Sequence, residues 1–532
     1  MASTANPARP EKRTRAPATP IEDVAANPSD NFPALVVGAM MASLLQVLDG
    51  TIANVALPHM QAALGATADT VTWVLTSYII ASAVAMPITG WLADKVGARR
   101  LFMTAVVGFV GSSMLCGLAQ NLEQMVFFRI LQGISGAFIA PMSQSFMLDS
   151  SRPSKQPTMM AIWSAGIMIG PIVGPVLGGI LTESGNWRWV FYVNVPVGAL
   201  AFSMLAIGLP ERERRNRSID LAGFAMIGIG LTSLQLLLDR GTQIDWFASV
   251  EAWIYAITLA SAIWFAVIHF VTVKHPLFDL ELFEDRNFLI GMVLIFMVGL
   301  VLFASIALLP PMMQHLLGYD VVDTGLVLAP RGIGVLISMQ IGGILLRKRI
   351  DPRIPVGIGF MICAYSLFEM SHWSLAVDRW HIISAGFVQG LGVGLAFMPL
   401  NFTSFATLPA HLRTDGASLL NLARNVGSSV GISVVTVFLA RNIQIAHSDI
   451  GGHVTSVTTD MVDVTTIDRY QSLGDTALRI VDAEVNRQAA MIGYIDDFYL
   501  MGWLTLATLP LVLIMRKAVP PKSEEAPPPL SE

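Results

Sequence analysis

Apolar runs of about twenty residues recur along the whole chain, each bounded by polar connections, and that is the length a helix needs to cross a bilayer. Fourteen such runs are predicted, near residues 33–57, 71–92, 101–119, 123–147, 159–181, 189–209, 220–238, 251–272, 288–309, 321–346, 354–371, 381–401, 414–440 and 494–515. Lipid offers the backbone no hydrogen-bond partners, so each run is expected to be helical and the chain to be an all-α polytopic membrane protein. Composition agrees. Of 532 residues, 54% are hydrophobic and 13% charged, against about 25% charged in an ordinary soluble protein. That excludes a soluble globular enzyme and a disordered chain. The 44 glycines and 29 prolines are no objection, because membrane helices tolerate both better than soluble ones.

The charges on the connections test this count. Assigning Lys and Arg to alternate sides places 23 on the side of both termini and 7 on the other, with three inside the runs. A missed or invented helix would scramble that alternation, and the bias predicts that both termini are cytoplasmic. Residues 1–32 are polar, with Arg9, Lys12, Arg13 and Arg15 and no apolar core. They read as a disordered cytoplasmic tail, not a cleavable signal, and 516–532 as a second tail. The basic stretch Arg212, Glu213, Arg214, Arg215, Asn216, Arg217 suits a linker lying on anionic lipid. Residues 441–493 form the long connection on the outside, helix-like through Ala477–Ala490, and are either a small lobe or a docking element. Cys116 and Cys363 lie within apolar runs and read as packing residues.

An internal repeat divides the chain. Leu131-Gln132-Gly133-Ile134-Ser135-Gly136, with Pro141 downstream, returns as Val388-Gln389-Gly390-Leu391-Gly392-Val393 with Pro399 downstream. The run after each carries glycines four apart: Gly166, Gly170, Gly174 and Gly178, then Gly427 and Gly431. Small residues at that spacing let helix backbones approach closely in lipid. The repeat predicts two six-helix bundles, 33–209 and 288–515, separated by a basic linker and two inserted helices at 210–287. Two parallel halves around a midplane site are transporter architecture.

Ionisable groups inside the runs are the candidates for chemistry, since each costs ~3 kcal/mol or more at the bilayer centre unless it faces a cavity or partner. They are Asp49, Arg129, Arg331, Glu369 and Arg424. Gly386 stands at the place equivalent to Arg129 in the second half, an asymmetry that favours a functional role for the arginine. Asp49 shares neighbouring turns with Gln46, Thr51 and Asn54. Poised between burial, which favours the proton-bound form, and a nearby cation, which favours the charged form, such a carboxylate can take and release a proton. Arg331 is either a contact for a substrate anion or the structural partner of a carboxylate. Arg424 either lines the pathway, snorkels or braces helices. The connection Gly90-Trp91-Leu92-Ala93-Asp94-Lys95-Val96-Gly97-Ala98-Arg99-Arg100 combines tight-turn glycines with an acid and three bases. It reads as a cytoplasmic latch, with Gly90, Asp94, Lys95, Gly97, Arg99 and Arg100 as its members.

These residues match a family. The Gly90–Arg100 connection resembles the signature loop of the major facilitator superfamily. Gly166 and Gly170-Pro171, continuing through Gly174-Pro175 to Gly178-Gly179, resemble its antiporter motif. Leu48 to Pro58 is similar to the first-helix motif of the fourteen-span drug:proton antiporters. Trp187-Arg188-Trp189 with Asn194 and Pro196, Leu238-Asp239-Arg240-Gly241 with Asp245-Trp246-Phe247, and Gly493-Tyr494 with Asp497-Phe498 resemble EmrB-type permeases of Gram-negative bacteria. The resemblance covers about residues 33–515. It implies the major facilitator fold, proton coupling through Asp49 and Arg129, and a multi-pass inner-membrane protein. It further implies a permease that works with a periplasmic membrane-fusion adaptor and an outer-membrane channel. Two departures stand out. Ala98 replaces the usual Arg of the signature loop, and Arg347 stands where the second copy of the loop would carry Asp94's counterpart.

The expected function is export of amphipathic drugs or toxic small molecules in exchange for protons, which serve as coupling ion in place of any cofactor. A dedicated exporter of an anionic metabolite, such as a siderophore or fatty acid, is the alternative within transport; a non-transporting receptor or scaffold is the alternative outside it. No Gly-Lys-Ser/Thr phosphate loop, metal-ligand cluster or nucleophile–base motif is present in the sequence, so neither ATP-driven transport, a metal nor an enzyme is expected. Nothing points to nucleic acid.

Overall fold

The computed structural model describes residues 23–517 apart from 185, 216, 242, 275 and 454–474, with side chains for all of these but 68, 69, 172, 175, 183, 184, 321 and 475–478. The tail residues 1–22 and 518–532 and the middle of the 441–493 connection therefore lie outside the described residues.

Fourteen helices are long and apolar enough to cross a membrane. They are Phe32–Leu64, Trp73–Val96, Ala98–Leu118, Leu122–Asp149, Pro153–Thr182, Trp189–Gly208, Leu221–Arg240, Val250–Thr272, Arg286–Leu316, Val322–Arg347, Arg353–Met370, Arg379–Ala406, Ala410–His453 and Arg479–Ile514, called the first to fourteenth spans below. Local chemistry sets many of the ends. Asn31 caps the first span, accepting from Ala34 N at 3.3 Å, and Gly65, in the left-handed region at φ 65°, stops it. Asp220, Asp285, Asp320 and Asp378 cap the seventh, ninth, tenth and twelfth in the same way, each satisfying an orphaned N–H. Prolines break the geometry inside spans, as where Pro310 and Pro311 precede the π-turn Met312–Leu316.

Packing repeats between the halves. The first span lies on the fifth as the ninth lies on the thirteenth, and the second on the fourth as the tenth on the twelfth. Glycines make each contact possible. A Cβ on Gly133 would meet the Tyr78 carbonyl at 2.5 Å, and one on Gly390 would strike the Arg331 carbonyl. A Cβ on Gly170 would meet Val47 at 2.8 Å, and Gly427 and Gly431 lie against the carbonyls of Phe296 and Leu300. The fold is thus two six-helix bundles with two inserted helices. The seventh span fills a crevice beside the second and thirteenth, where Thr76 Oγ1 donates to Asp239 Oδ2 at 2.6 Å and Ser433 Oγ to the Leu238 carbonyl at 3.1 Å. The eighth touches mainly the seventh and turns Trp253, Ile257, Trp264 and Phe265 outward, which suits a lipid-facing helix.

Two expectations need correction. Residues 23–31 are not a free tail: Asp23 accepts from Ser154 N and Oγ at 2.9 and 2.7 Å, Asn27 N donates to Asp149 O at 2.8 Å, and Ser29 Oγ donates to Gly208 O at 2.5 Å. Short polar side chains there satisfy helix-end groups on the basic end of the bundle. The thirteenth span, moreover, does not stop near 440. Its helix runs without a break from Arg413 to His453, 41 residues, about 60 Å at ~1.5 Å per residue, or twice the hydrocarbon thickness. No glycine or proline falls between Arg441 and Asp449 to end it, and His447 pairs with Asp482 of the returning helix at 3.3 Å.

Candidate functional site

The first span carries Asp49 into the middle of the N-terminal half, where no part of it is exposed. Two other spans converge on its two oxygens. Arg129 Nη1 of the fourth span pairs with Oδ2 at 2.7 Å. Gln132 Nε2, one turn further on the same helix, donates to Oδ1 at 2.8 Å, and Asn194 Nδ2 of the sixth span donates to Oδ1 at 2.6 Å. Arg129 is itself held: Nη1 also donates to Gln132 Oε1 at 2.8 Å, and Nε to the Val74 carbonyl of the second span at 2.9 Å. Its guanidinium lies 4.3 Å from the Tyr78 ring centroid and 5.9 Å from that of Phe191. Ser113 Oγ of the third span accepts from Asn194 at 3.0 Å and donates to the Phe191 carbonyl at 2.9 Å. Arg129 Nη2 and Asn194 Oδ1 are buried without a partner among the described residues. The dry surroundings strengthen each contact and make the loss of any one expensive. Chemically, this is a carboxylate whose proton-free form is neutralised by one guanidinium. Placing a proton on Asp49 removes the charge that holds Arg129.

The other sequence candidates divide. Gln46 lies one turn before Asp49 and is half-buried. Thr51 does not join Asp49; its Oγ1 donates to backbone carbonyls of Val47 and Leu48 at 3.2 and 2.9 Å and to Gly170 O at 3.3 Å. It is the seat on which Gly174 rests. Asn54 is turned away and exposed, since five residues on a helix rotate a side chain by about 140°. The antiporter-motif glycines do their work here. Gly166, Gly170, Gly174 and Gly178 face Met40, Val47, Thr51 and Val55 in turn, pressing the fifth span onto the helix that carries Asp49. Gly179 is buried and Pro171 half-buried beside them, while the side chain of Pro175 lies outside the described residues.

At the basic end the two halves are tied by ions, with partners other than those the sequence suggested. The Asp94 carboxylate makes no hydrogen bond or ion pair among the described residues; only its carbonyl is used, by Arg215 N at 3.1 Å. The acids of the latch are Asp149, paired with Arg212 at 3.0 Å and Arg413 at 2.8 Å, and Asp415, paired with Arg217 at 2.7 Å. Gly90 is where Asp415 sits, and any side chain there would displace its carboxylate. Gly97, at φ 103°, turns the chain beside Arg214. Lys95 lies 5.0 Å over Trp91, Arg99 Nη2 donates to Ala206 O at 2.9 Å, and Arg100 is exposed. The basic linker is therefore part of the clamp. Burial lowers the Arg212 guanidinium below its ordinary pKa, and Asp149 opposes that shift. Beneath the ions, Gln144 Nε2 donates to Asn401 Oδ1 at 3.1 Å and Gln144 Oε1 accepts from Asn421 Nδ2 at 2.9 Å, so polar side chains of the two halves pair across the join.

Arg331 and Arg424 lie in the C-terminal half, each 8% exposed. Arg331 Nη2 reaches only the Leu302 carbonyl at 3.4 Å, and neither arginine has a carboxylate in ion-pair range among the described residues. Arg424 does not snorkel. Glu369, half-buried, accepts from Trp373 Nε1 at 3.2 Å. Gln132, Asn194, Ser113 and Tyr78 were not singled out for the site from the sequence. Gln132 carried a signal, as the repeated Gln before a glycine, and Asn194 stood in a recognised run; Ser113 and Tyr78 carried none.

Comparison with known proteins agrees with this architecture. The profile of the Major Facilitator Superfamily matches residues 39–432. The multidrug export protein EmrB of Escherichia coli is 35% identical over 419 residues, covering 78% of this chain and 82% of the relative. The fatty acid resistance protein FarB of Neisseria gonorrhoeae is 33% identical over 480 residues, covering 90% and 94%. Among solved structures, the human organic anion transporter MFSD10 superposes with a TM-score of 0.56 over 90% of this chain and 99% of its own, at 12% identity, a likeness of fold alone. The chain belongs to the major facilitator superfamily, as a fourteen-span member of the EmrB-like group.

Proposed function

We propose that the protein is a proton-driven antiporter that exports amphipathic small molecules across the bacterial inner membrane, with both termini in the cytoplasm. The observation that carries this reading is the fully buried Asp49–Arg129 pair, with Gln132 and Asn194 completing the carboxylate's shell. A proton entering from outside neutralises Asp49, frees Arg129 and weakens the join between the first and fourth spans. Return of the pair expels the proton to the inside. The ion clamp of Asp149 and Asp415 holds the basic end shut in the conformation described, so the other end is the one that opens to release cargo. The energy suffices: a proton carries ~2.3 kcal/mol per 100 mV and ~1.4 kcal/mol per pH unit, enough to sustain a roughly hundredfold cargo gradient. The names of EmrB and FarB support export of toxic amphiphiles. The EmrB likeness also supports service as the permease of a tripartite system with a periplasmic membrane-fusion adaptor and an outer-membrane channel.

The test is purified protein in liposomes under an imposed pH gradient, following a fluorescent lipophilic cation and internal pH together. Wild type should move both in exchange; Asp49→Asn should bind dye without proton flux. An Asp49→Asn variant that exchanges as fast as wild type would overturn the role of Asp49. A wild type that responds to no pH gradient with any amphiphile would overturn antiport.

A further inference from the structure

The C-terminal half contains a copy of the Asp49 site in which a serine stands for the acid and the cation comes from a different helix. Register fixes the correspondence. Gly133 presses on the Tyr78 carbonyl and Gly390 on the Arg331 carbonyl, so Arg331 occupies the place of Tyr78, the residue whose ring Arg129 stacks against. Gln132 lies three residues after Arg129, and Gln389 three after Gly386. Gln132 Nε2 donates to Asp49 of the first span, whereas Gln389 Nε2 donates at 3.2 Å to Ser305 of the ninth. Ser305 therefore stands where Asp49 stands. The cation has moved from the fourth-span position, where Gly386 leaves space against Arg331 Cβ at 3.7 Å, to the second-span position.

What results is a guanidinium 92% buried by its 8% exposure, with one long bond to the Leu302 carbonyl and no acid among the described residues. Beside it are a fully buried serine and a fully buried glutamine whose Oε1 has no partner. Arg424, equally buried and with its backbone packed on Gly299, adds a second cation without a carboxylate in ion-pair range among the described residues. The Asp49–Arg129 pair is neutral in sum, and Arg331 and Arg424 outnumber Asp497, the fully buried acid of this half whose oxygens have no partner among the described residues. Arg is suited to bidentate recognition of a planar carboxylate.

We propose that Arg331, with Ser305 and Gln389 beside it, receives the carboxylate of an amphipathic organic anion, so that the cargo supplies the charge which Asp49 supplies in the other half. This deepens the export reading and rests on it.

The test is binding and exchange of three dansyl probes sharing one alkyl chain: a carboxylate, its methyl ester and a trimethylammonium. Wild type should bind the carboxylate at least tenfold more tightly than either other probe. Arg331→Leu should abolish that preference and Arg331→Lys retain part of it. Ser305→Asp should rebuild an internal pair with Arg331 and remove the preference while raising thermal stability. Equal affinity of wild type for carboxylate and ester, or an unchanged preference in Arg331→Leu that elutes as folded monodisperse protein, overturns the proposal. Should Arg331→Leu fail to fold, Ser305→Asp with full carboxylate preference overturns it equally. Exchange of the ammonium probe under the pH gradient, without carboxylate preference, sinks this site alone; absence of exchange with every probe sinks antiport.

Discussion

The two halves share a helical frame and treat buried charge in opposite ways. In the N-terminal half, Arg129 is matched by Asp49, and four further groups from four spans complete the network. In the C-terminal half, Arg331 and Arg424, each 8% exposed, have no carboxylate in ion-pair range among the described residues. A matched pair is neutralised from within the protein, whereas an unmatched cation is left for something that arrives. The difference teaches that in a duplicated membrane fold the backbone can be kept and the electrostatics divided; under the proposed antiport, one half serves the coupling ion and the other the cargo.

The comparison can be broken most sharply with two leucines. Arg129→Leu strands a fully buried carboxylate, a loss of about 3–5 kcal/mol where one partner of a buried pair is removed. Arg331→Leu removes an uncompensated charge from a buried site, so it should leave stability unchanged or raise it. Thermal unfolding in one detergent checks both, and two melting points moving in the same direction would end the contrast. Adding Asp49→Asn to Arg129→Leu should recover much of the lost stability, since no stranded charge remains.

Next in size is the glycine seam. Gly174→Val drives a side chain into Thr51, whereas Gly386→Ala meets only Arg331 Cβ at 3.7 Å. Overpacking of the first kind costs about 1–3 kcal/mol; the second should be near neutral. Thermal shift and retained monodispersity rank them. Smallest is the clamp: Asp415→Asn weakens the bond to Arg217, which is 25% exposed, an effect of about 1 kcal/mol after screening. It should raise the labelling rate of a cysteine placed at Ser145 several-fold from the basic side. An unchanged rate would mean that Asp149 closes that end by itself.

Much of the frame was legible because lipid imposes a single rule on the backbone. Every run long enough to span became a helix, and the alternation of basic connections fixed their number. Asp49 and Arg129 were legible because a charge inside a span demands a reason. Their joint shell was less so: Asn194 and Ser113 are ordinary polar residues whose value depends on which way two distant helices face. The latch was misread for the same reason. Asp94 sits in a conspicuous loop, yet Asp149 and Asp415, at span ends and unremarked in the sequence, reach the arginines. Thr51 and Asn54 show the limit of proximity along a helix, since neighbours in number diverge around the axis.

Sequence by itself therefore determined the number of spans, the duplication, the small-residue seams and the identity of the charges that must be buried. Those follow from transfer free energies and helix periodicity, which act within a segment. Only the tertiary structure decided that Asp49 meets Arg129, Gln132 and Asn194, that the basic linker closes one end, and that Arg331 meets no acid. Pairing across helices is set by rotation and depth of rigid elements against one another, and no single segment carries that information.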